Sequence, residues 1–198
     1  MDRKSNSNLP RKAQIVNAAR KLVIKMGSEN VTVRRIAEEV GFTEAAVYRH
    51  FKSKKEILYL LVENIEDSLI SDLTIGGDAD SDIFETILLR HLSAIEKRRG
   101  VSFQVIAEII SLGDDKLNRR IYDTIERYLE KLKTILKQEV SKGKLRRDID
   151  LDAVAFLIFS VMQGLSNIWT LSNYGFNPKD KFKTILSTLK MGLIDKKD

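Results

Sequence analysis

The sequence has no cysteine, which excludes disulfides, thiolate metal sites, cysteine nucleophiles and thiol redox sensing. Proline and glycine are scarce, 2 and 10 of 198 residues, so the chain is neither collagen-like nor low-complexity. There are 2 histidines; no second ligand stands beside His50, so neither a metal nor another cofactor is expected. Gly-x-Gly and Gly-Lys-Ser/Thr patterns are missing, which leaves a nucleotide cofactor no visible site. Residues Met1 to Asn8 are polar with no apolar run behind them, the pattern of a floppy arm rather than a secretory signal. Charge is absent from Ala153 to Pro178. A membrane-spanning helix needs about 20 mostly apolar residues, but Ser160, Gln163, Ser166, Asn167, Thr170, Ser172 and Asn173 interrupt the second half. The stretch reads as a buried helix of a soluble, cytoplasmic protein, and no membrane partner is expected.

What is present is 43% hydrophobic residues, enough for a folded core, and 34 Lys+Arg against 28 Asp+Glu, a net +6. That charge is unevenly spread. Residues 1–60 hold 13 basic and 6 acidic residues, net +7, whereas residues 61–198 hold 21 and 22, net −1. A basic block on a nearly neutral body points to a surface for phosphate or anionic lipid.

Apolar residues recur at helical spacing almost throughout, and the fold class is all-α. A first helix begins near Pro10, carries apolar positions Ile15, Ala18, Ala19, Leu22, Val23 and Met26, and stops at Gly27. Thr32 caps a short helix with Val33, Ile36, Ala37 and Val40 inward, and Gly41 ends it. Thr43 caps another, with Val47 and Phe51 four apart on one face; Ser53 and Glu56 form a capping box for a longer helix through Ile57, Leu58, Leu61, Ile65 and Leu69. The segment from Thr74 to Asp80 is the clearest loop. Five further helices fall at roughly 81–98, 101–111, 115–142, 150–173 and 178–194.

Thr32 to Phe51 is thus two short helices joined by Gly41-Phe42-Thr43, a helix-turn-helix. Its second helix presents Thr43, Glu44, Ala45, Tyr48 and Arg49 toward a major groove, and small Ala45 permits close approach. Arg49 reads guanine or holds phosphate; the residues alone leave both open. His50 on this basic face is a phosphate donor. The run from Thr32 to Thr43, followed by Tyr48-Arg49-His50-Phe51-Lys52-Ser53-Lys54-Lys55-Glu56-Ile57, resembles the DNA-binding domain of TetR-family transcriptional regulators. The resemblance implies a homodimeric repressor whose C-terminal domain binds a small molecule and releases DNA. It assigns phosphate contacts to Thr32, Tyr48, His50 and Lys54, and Arg34 joins this DNA-binding set from the basic cluster. Glu44 stands where the family often has a neutral or basic residue. A carboxylate is repelled by phosphate unless it accepts from a cytosine amino group or pairs with a neighbouring base.

The expected organisation is an arm at 1–9, a helix-turn-helix domain at 10–55, and a larger helical domain at 56–198 for dimerisation and ligand binding. Helix 150–173 is apolar on more than one face: Val154, Leu157, Ile158, Val161, Leu165 and Ile168 form one stripe, with Phe156, Phe159, Met162 and Trp169 around the rest. Such a helix buries two sides. The expected dimer interface is Leu157, Val161, Leu165 and Ile168 with Ile185 and Leu189 of the last helix, a four-helix contact across a two-fold axis. A largely apolar effector is expected among Phe103, Gln104, Ala107, Tyr128, Phe159, Gln163 and Trp169. Gln163 and Asn167, one turn apart, need partners if buried. The partners are therefore palindromic double-stranded DNA, a second copy, and a small molecule. Two rival readings remain at this stage: a helical scaffold or membrane-surface adaptor, and an enzyme using His91, although His91, Ser93 and Glu96 form no recognisable triad.

Overall fold

A computed structural model of the chain describes residues 9–27, 30–71, 73 and 83–193. These residues form nine α-helices and no strand: α1 Arg11–Met26, α2 Val33–Val40, α3 Glu44–Tyr48, α4 Lys54–Ser71, α5 Ile83–Lys97, α6 Val101–Leu112, α7 Asp115–Ser141, α8 Leu151–Leu171 and α9 Pro178–Leu193. Residues 1–8 of the expected arm and the Thr74 to Asp80 loop lie outside the described residues. The chain folds as two compact units, Met1–Asp67 with Gln104–Tyr122, and Ser68–Phe103 with Asp123–Asp198. The first unit therefore reaches beyond the expected 10–55 segment, because most of α4, most of α6 and the opening turns of α7 pack within it.

In the first unit, α1 buries Ile15, Val16, Ala18, Ala19, Leu22 and Val23 and ends at Gly27, whose N–H donates to the Val23 carbonyl at 2.9 Å. Val33, Ile36, Ala37, Val47 and Phe51 close the core of the head, each such side chain contributing roughly 1.5–3 kcal/mol for the larger residues. Val40 is only half-buried. Two ion pairs join distant parts of the unit. Lys55 on α4 meets Asp114 before α7 at 2.6 Å, and Arg120 on α7 approaches Glu63 on α4 at 3.8 Å. The Asp114 carboxylate also accepts from the Lys116 and Leu117 N–H groups at 3.1 and 3.0 Å, so one residue caps α7 and holds α4. Those bonds, led by Lys55, keep Asp114 below its ordinary value, and the Asp114 bond raises Lys55.

In the second unit, α9 packs on α5 and α8 through Phe182 and Leu186, and Lys179 pairs with Glu96 at 2.8 Å. Asp150 caps α8 by accepting from the Ala153 N–H at 3.0 Å; Lys133 of α7 pairs with Asp152 at 2.7 Å and with Glu130. The α5–α6 turn is fastened to the loop after α8 by a stack. The Arg99 guanidinium lies 3.9 Å from the Tyr174 ring centroid, and that ring meets Trp169 edge-on at 4.8 Å. Arg99, Asn173 and Tyr174 all adopt positive φ, a conformation that costs a side-chain-bearing residue about 1–2 kcal/mol and that the stack helps to hold.

Helix α8 departs from the expected stripe. Its inner face is Val154, Ala155, Ile158, Phe159, Met162, Leu165, Ser166 and Trp169. Phe156, Leu157, Ile168 and Leu171 are outside, 60%, 42%, 60% and 86% exposed. Leu165 thus belongs to the protomer's own core, while Phe156 and Leu171 join the outer row. A period of 3.6 cannot say where one apolar face ends when both are apolar. Among the described residues α8 is the helix long and apolar enough to cross a membrane, with 44% of its most apolar window buried.

Candidate nucleic-acid interface

The head is shaped by four caps written into the chain. Thr32 Oγ1 accepts from the Arg35 N–H at 3.2 Å and starts α2. At the other end the Gly41 N–H donates to Glu38 O and the Phe42 N–H to Ala37 O, at 3.3 and 2.9 Å, the double bond pattern that reverses a chain after a helix. Gly41 has φ 75° with nothing within 4 Å of a built Cβ, so backbone conformation rather than space demands glycine there. Thr43 Oγ1 then accepts from the Ala46 N–H at 3.1 Å and starts α3. Ser53 Oγ receives the Glu56 N–H at 3.3 Å, while Glu56 Oε2 accepts from the Lys52 N–H at 2.7 Å. The expected capping box is present with its return bond shifted by one residue to Lys52.

These caps fix which side of α3 faces out. Val47 is fully buried, whereas Thr43, Glu44, Ala45, Tyr48 and Arg49 are exposed; Tyr48 is 52% so, which places its ring on the surface rather than in the core. Thr32 and Arg34 are exposed on α2, and His50 and Lys54 are half-buried. The Thr32 and Thr43 oxygens accept from backbone within the protein, which leaves each O–H able to donate to a phosphate oxygen.

The basic charge is not uniform over this surface. Arg35 Nη1 donates to the Asn30 carbonyl at 2.6 Å and braces the turn between α1 and α2. Lys55 is committed to Asp114. Arg34 Nε donates to Glu38 Oε1 at 3.0 Å, and that bond, with the charges of Glu38 and Glu44, raises the arginine above its ordinary value. Arg49 and Lys52 are exposed on and just beyond α3.

Two cations that the sequence reading did not single out flank the same helix. The Arg11 guanidinium lies 5.5 Å from the Phe42 ring centroid, just before α3, and Lys12 Nζ lies 5.4 Å from the ring of Phe51, just after it. Their signal was a basic pair directly after Pro10, at the start of a helix whose buried face was already clear.

The residues expected around an effector are dispersed. Phe103, Tyr128 and Phe159 form one buried cluster with His91: the ring centroids are 5.4 Å apart for His91–Tyr128, 5.4 Å for Tyr128–Phe159 and 5.9 Å for Phe103–Phe159. Trp169 is buried beside Tyr174; Gln104 and Gln163 are half-buried, and Asn167 likewise. Ala107 is exposed on α6, which removes it from an interior lining. Ser166 Oγ and Trp169 Nε1 are buried with no hydrogen-bond partner among the described residues. The three residues of the enzyme reading have separate surroundings: His91 is 0% exposed within the aromatic cluster, Ser93 Oγ donates to Leu89 O at 2.8 Å, and Glu96 pairs with Lys179. Of the expected contact between copies, Leu157 and Ile168 are exposed, Val161, Ile185 and Leu189 half-buried, and Leu165 buried.

Comparison with known proteins places this architecture. Residues 15–59 match the family of bacterial regulatory proteins named tetR, and residues 54–192 match the C-terminal region of YsiA-like proteins. The nucleoid occlusion factor SlmA of Edwardsiella ictaluri (strain 93-146) is 29% identical over 188 residues, covering 93% of this chain and 95% of the relative. Among solved structures, the transcriptional regulator FadR from Bacillus subtilis in complex with stearoyl-CoA has a TM-score of 0.74 at 20% identity, covering 91% of this chain and 98% of that one. The fatty acid degradation regulator FadR from Bacillus halodurans has a TM-score of 0.70 at 19% identity, covering 90% and 94%. At these identities the structural likenesses show a common fold.

Proposed function

The chain belongs to the tetR family of bacterial regulatory proteins and is a DNA-binding transcriptional regulator; from that premise we propose that it is a cytoplasmic homodimeric repressor, released from a palindromic operator by an effector with a long apolar part. The observation that carries the DNA half is the doubly capped α2–α3 unit with Thr43, Glu44, Ala45, Tyr48 and Arg49 exposed on one side. Thr32, Arg34, Tyr48, His50 and Lys54 hold phosphates, and Arg11 and Lys12 add positive charge at either end of α3.

Two heads are required for a palindrome. The outer row of α8 supplies the contact: Phe156, Leu157, Ile168 and Leu171 expose more apolar surface than a solitary helix face would keep in water, with Ile185 and Leu189 of α9 as neighbours in the interface.

For the effector, the support is the Phe103–Tyr128–Phe159 cluster together with two buried polar atoms, Ser166 Oγ and Trp169 Nε1, that lack partners among the described residues. An apolar chain ending in a hydrogen-bonding group complements such an interior, and a similar fold holds stearoyl-CoA. We therefore take a fatty acyl thioester as the effector class. It acts only if it binds one head spacing better than the other. The test is duplex binding by the purified protein with stearoyl-CoA titrated in. Release of bound duplex is the expected result. Retention at saturating stearoyl-CoA would overturn the effector half and favour DNA binding that an acyl thioester does not control.

A further inference from the structure

Glu44 is a carboxylate at the first position of the recognition helix, where electrostatics disfavours it unless it has a specific partner. Thr43 is the N-cap, so Glu44 opens α3 and is exposed beside exposed Ala45. The N-terminal residues of a recognition helix are those that reach base edges. On α2, Arg34 gives its Nε to Glu38 at 3.0 Å. Glu44 thus stands as an exposed carboxylate at a surface that otherwise suits a polyanion.

On a duplex, Glu44 gains nothing from phosphates, which repel it. It needs a hydrogen-bond donor, and the major groove offers two kinds. Guanine presents only acceptors there, and thymine an acceptor and a methyl group. Adenine offers its N6 amino group next to the N7 acceptor, which opposes a carboxylate. Cytosine offers its N4 amino group with no adjacent acceptor. Ala45, with no side chain beyond Cβ, does not hold the helix away from the bases.

We propose that Glu44 is the specificity-determining residue of this head, reading a cytosine in each half-site through its N4 amino group. The inference rests on the DNA-binding reading and goes beyond it by naming the base.

The test is selection of duplexes from a randomised library by the full-length wild-type protein and by Glu44→Gln, Glu44→Ala and Arg34→Gln, followed by affinity measurement on the winning sequences. Wild type is expected to enrich one cytosine per half-site, preferred over other bases by about tenfold. Glu44→Gln is expected to move that position to adenine, whose N6 and N7 suit an amide. Glu44→Ala should lose preference at that position alone. Arg34→Gln should weaken every sequence while keeping the cytosine. An identical motif for all four proteins, with Glu44 variants merely binding everything more tightly, would overturn the proposal and make Glu44 an electrostatic bystander. Failure of the wild type to enrich any sequence would overturn the DNA-binding reading on which the proposal stands.

Discussion

The exposed face of α3 and the outer face of α8 are both unsatisfied surfaces, yet they differ in what they tell. On α3 the exposed groups are a hydroxyl, a carboxylate, a phenol and a guanidinium, each with its own demand for charge or hydrogen bonds. On α8 they are Phe156, Leu157, Ile168 and Leu171, which demand only removal from water. Polar chemistry is directional and so identifies its partner; apolar burial is non-directional and identifies only that a partner exists. The polar face therefore supports the more specific proposal about its partner, while the α8 face supports only that an apolar partner exists.

Breaking the apolar face should have the largest effect. Replacing Ile168 and Leu171 together by Asp leaves the protomer core intact, since both side chains point out. The double variant is expected to sediment as a monomer and to bind a two-half-site duplex about 10²- to 10⁴-fold more weakly, the loss typical of removing a tethered second site. A dimer that persists by analytical ultracentrifugation would move the interface off α8.

On the polar face, Tyr48→Ala should cost about 1.5 kcal/mol per head for a hydrogen bond to a charged group, roughly a hundredfold over two heads. Its thermal midpoint should hardly change, because exposed substitutions are usually within about 0.5 kcal/mol. A fall in both affinity and melting temperature would mean that the ring is packed rather than presented.

The smallest effect concerns neither face but the Lys55–Asp114 link of the first unit. Asp114 has its folded value depressed from 3.8, so its contribution is present above that pH and is lost as the pH falls through the folded value. Lys55 has its value raised from 10.5; its contribution holds below that pH and goes as the pH rises through the folded value. Asp114→Asn keeps the helix cap but removes the charge. Its melting temperature should lie below that of the wild type from about pH 5 to 9 and converge with it as the pH falls through the folded value of Asp114. Parallel curves at all pH values would show that the ion pair contributes nothing.

The same contrast explains what the sequence made legible. Thr32, Gly41, Thr43 and Phe51 are local: each cap or turn is decided within four residues, and each appears where spacing placed it. The Arg34–Glu38 bond is also local, at i and i+4, but its consequence for Glu44 depends on how α2 meets α3. Lys55 and Asp114 are 59 positions apart, and nothing in either neighbourhood announces the other. Leu165 and Phe156 changed sides because α8 is apolar all round, which erases the amphipathic boundary that periodicity reads. Ala107 fell outside the interior for a related reason: a small residue fits either face of a helix.

The central claim, that the basic head grips a polyanion with two copies, is tested most directly by the salt dependence of duplex binding. With about four or five phosphates neutralised per head, the plot of log affinity against log salt should have a slope of about −7 to −9 for the dimer. A slope near zero would contradict it.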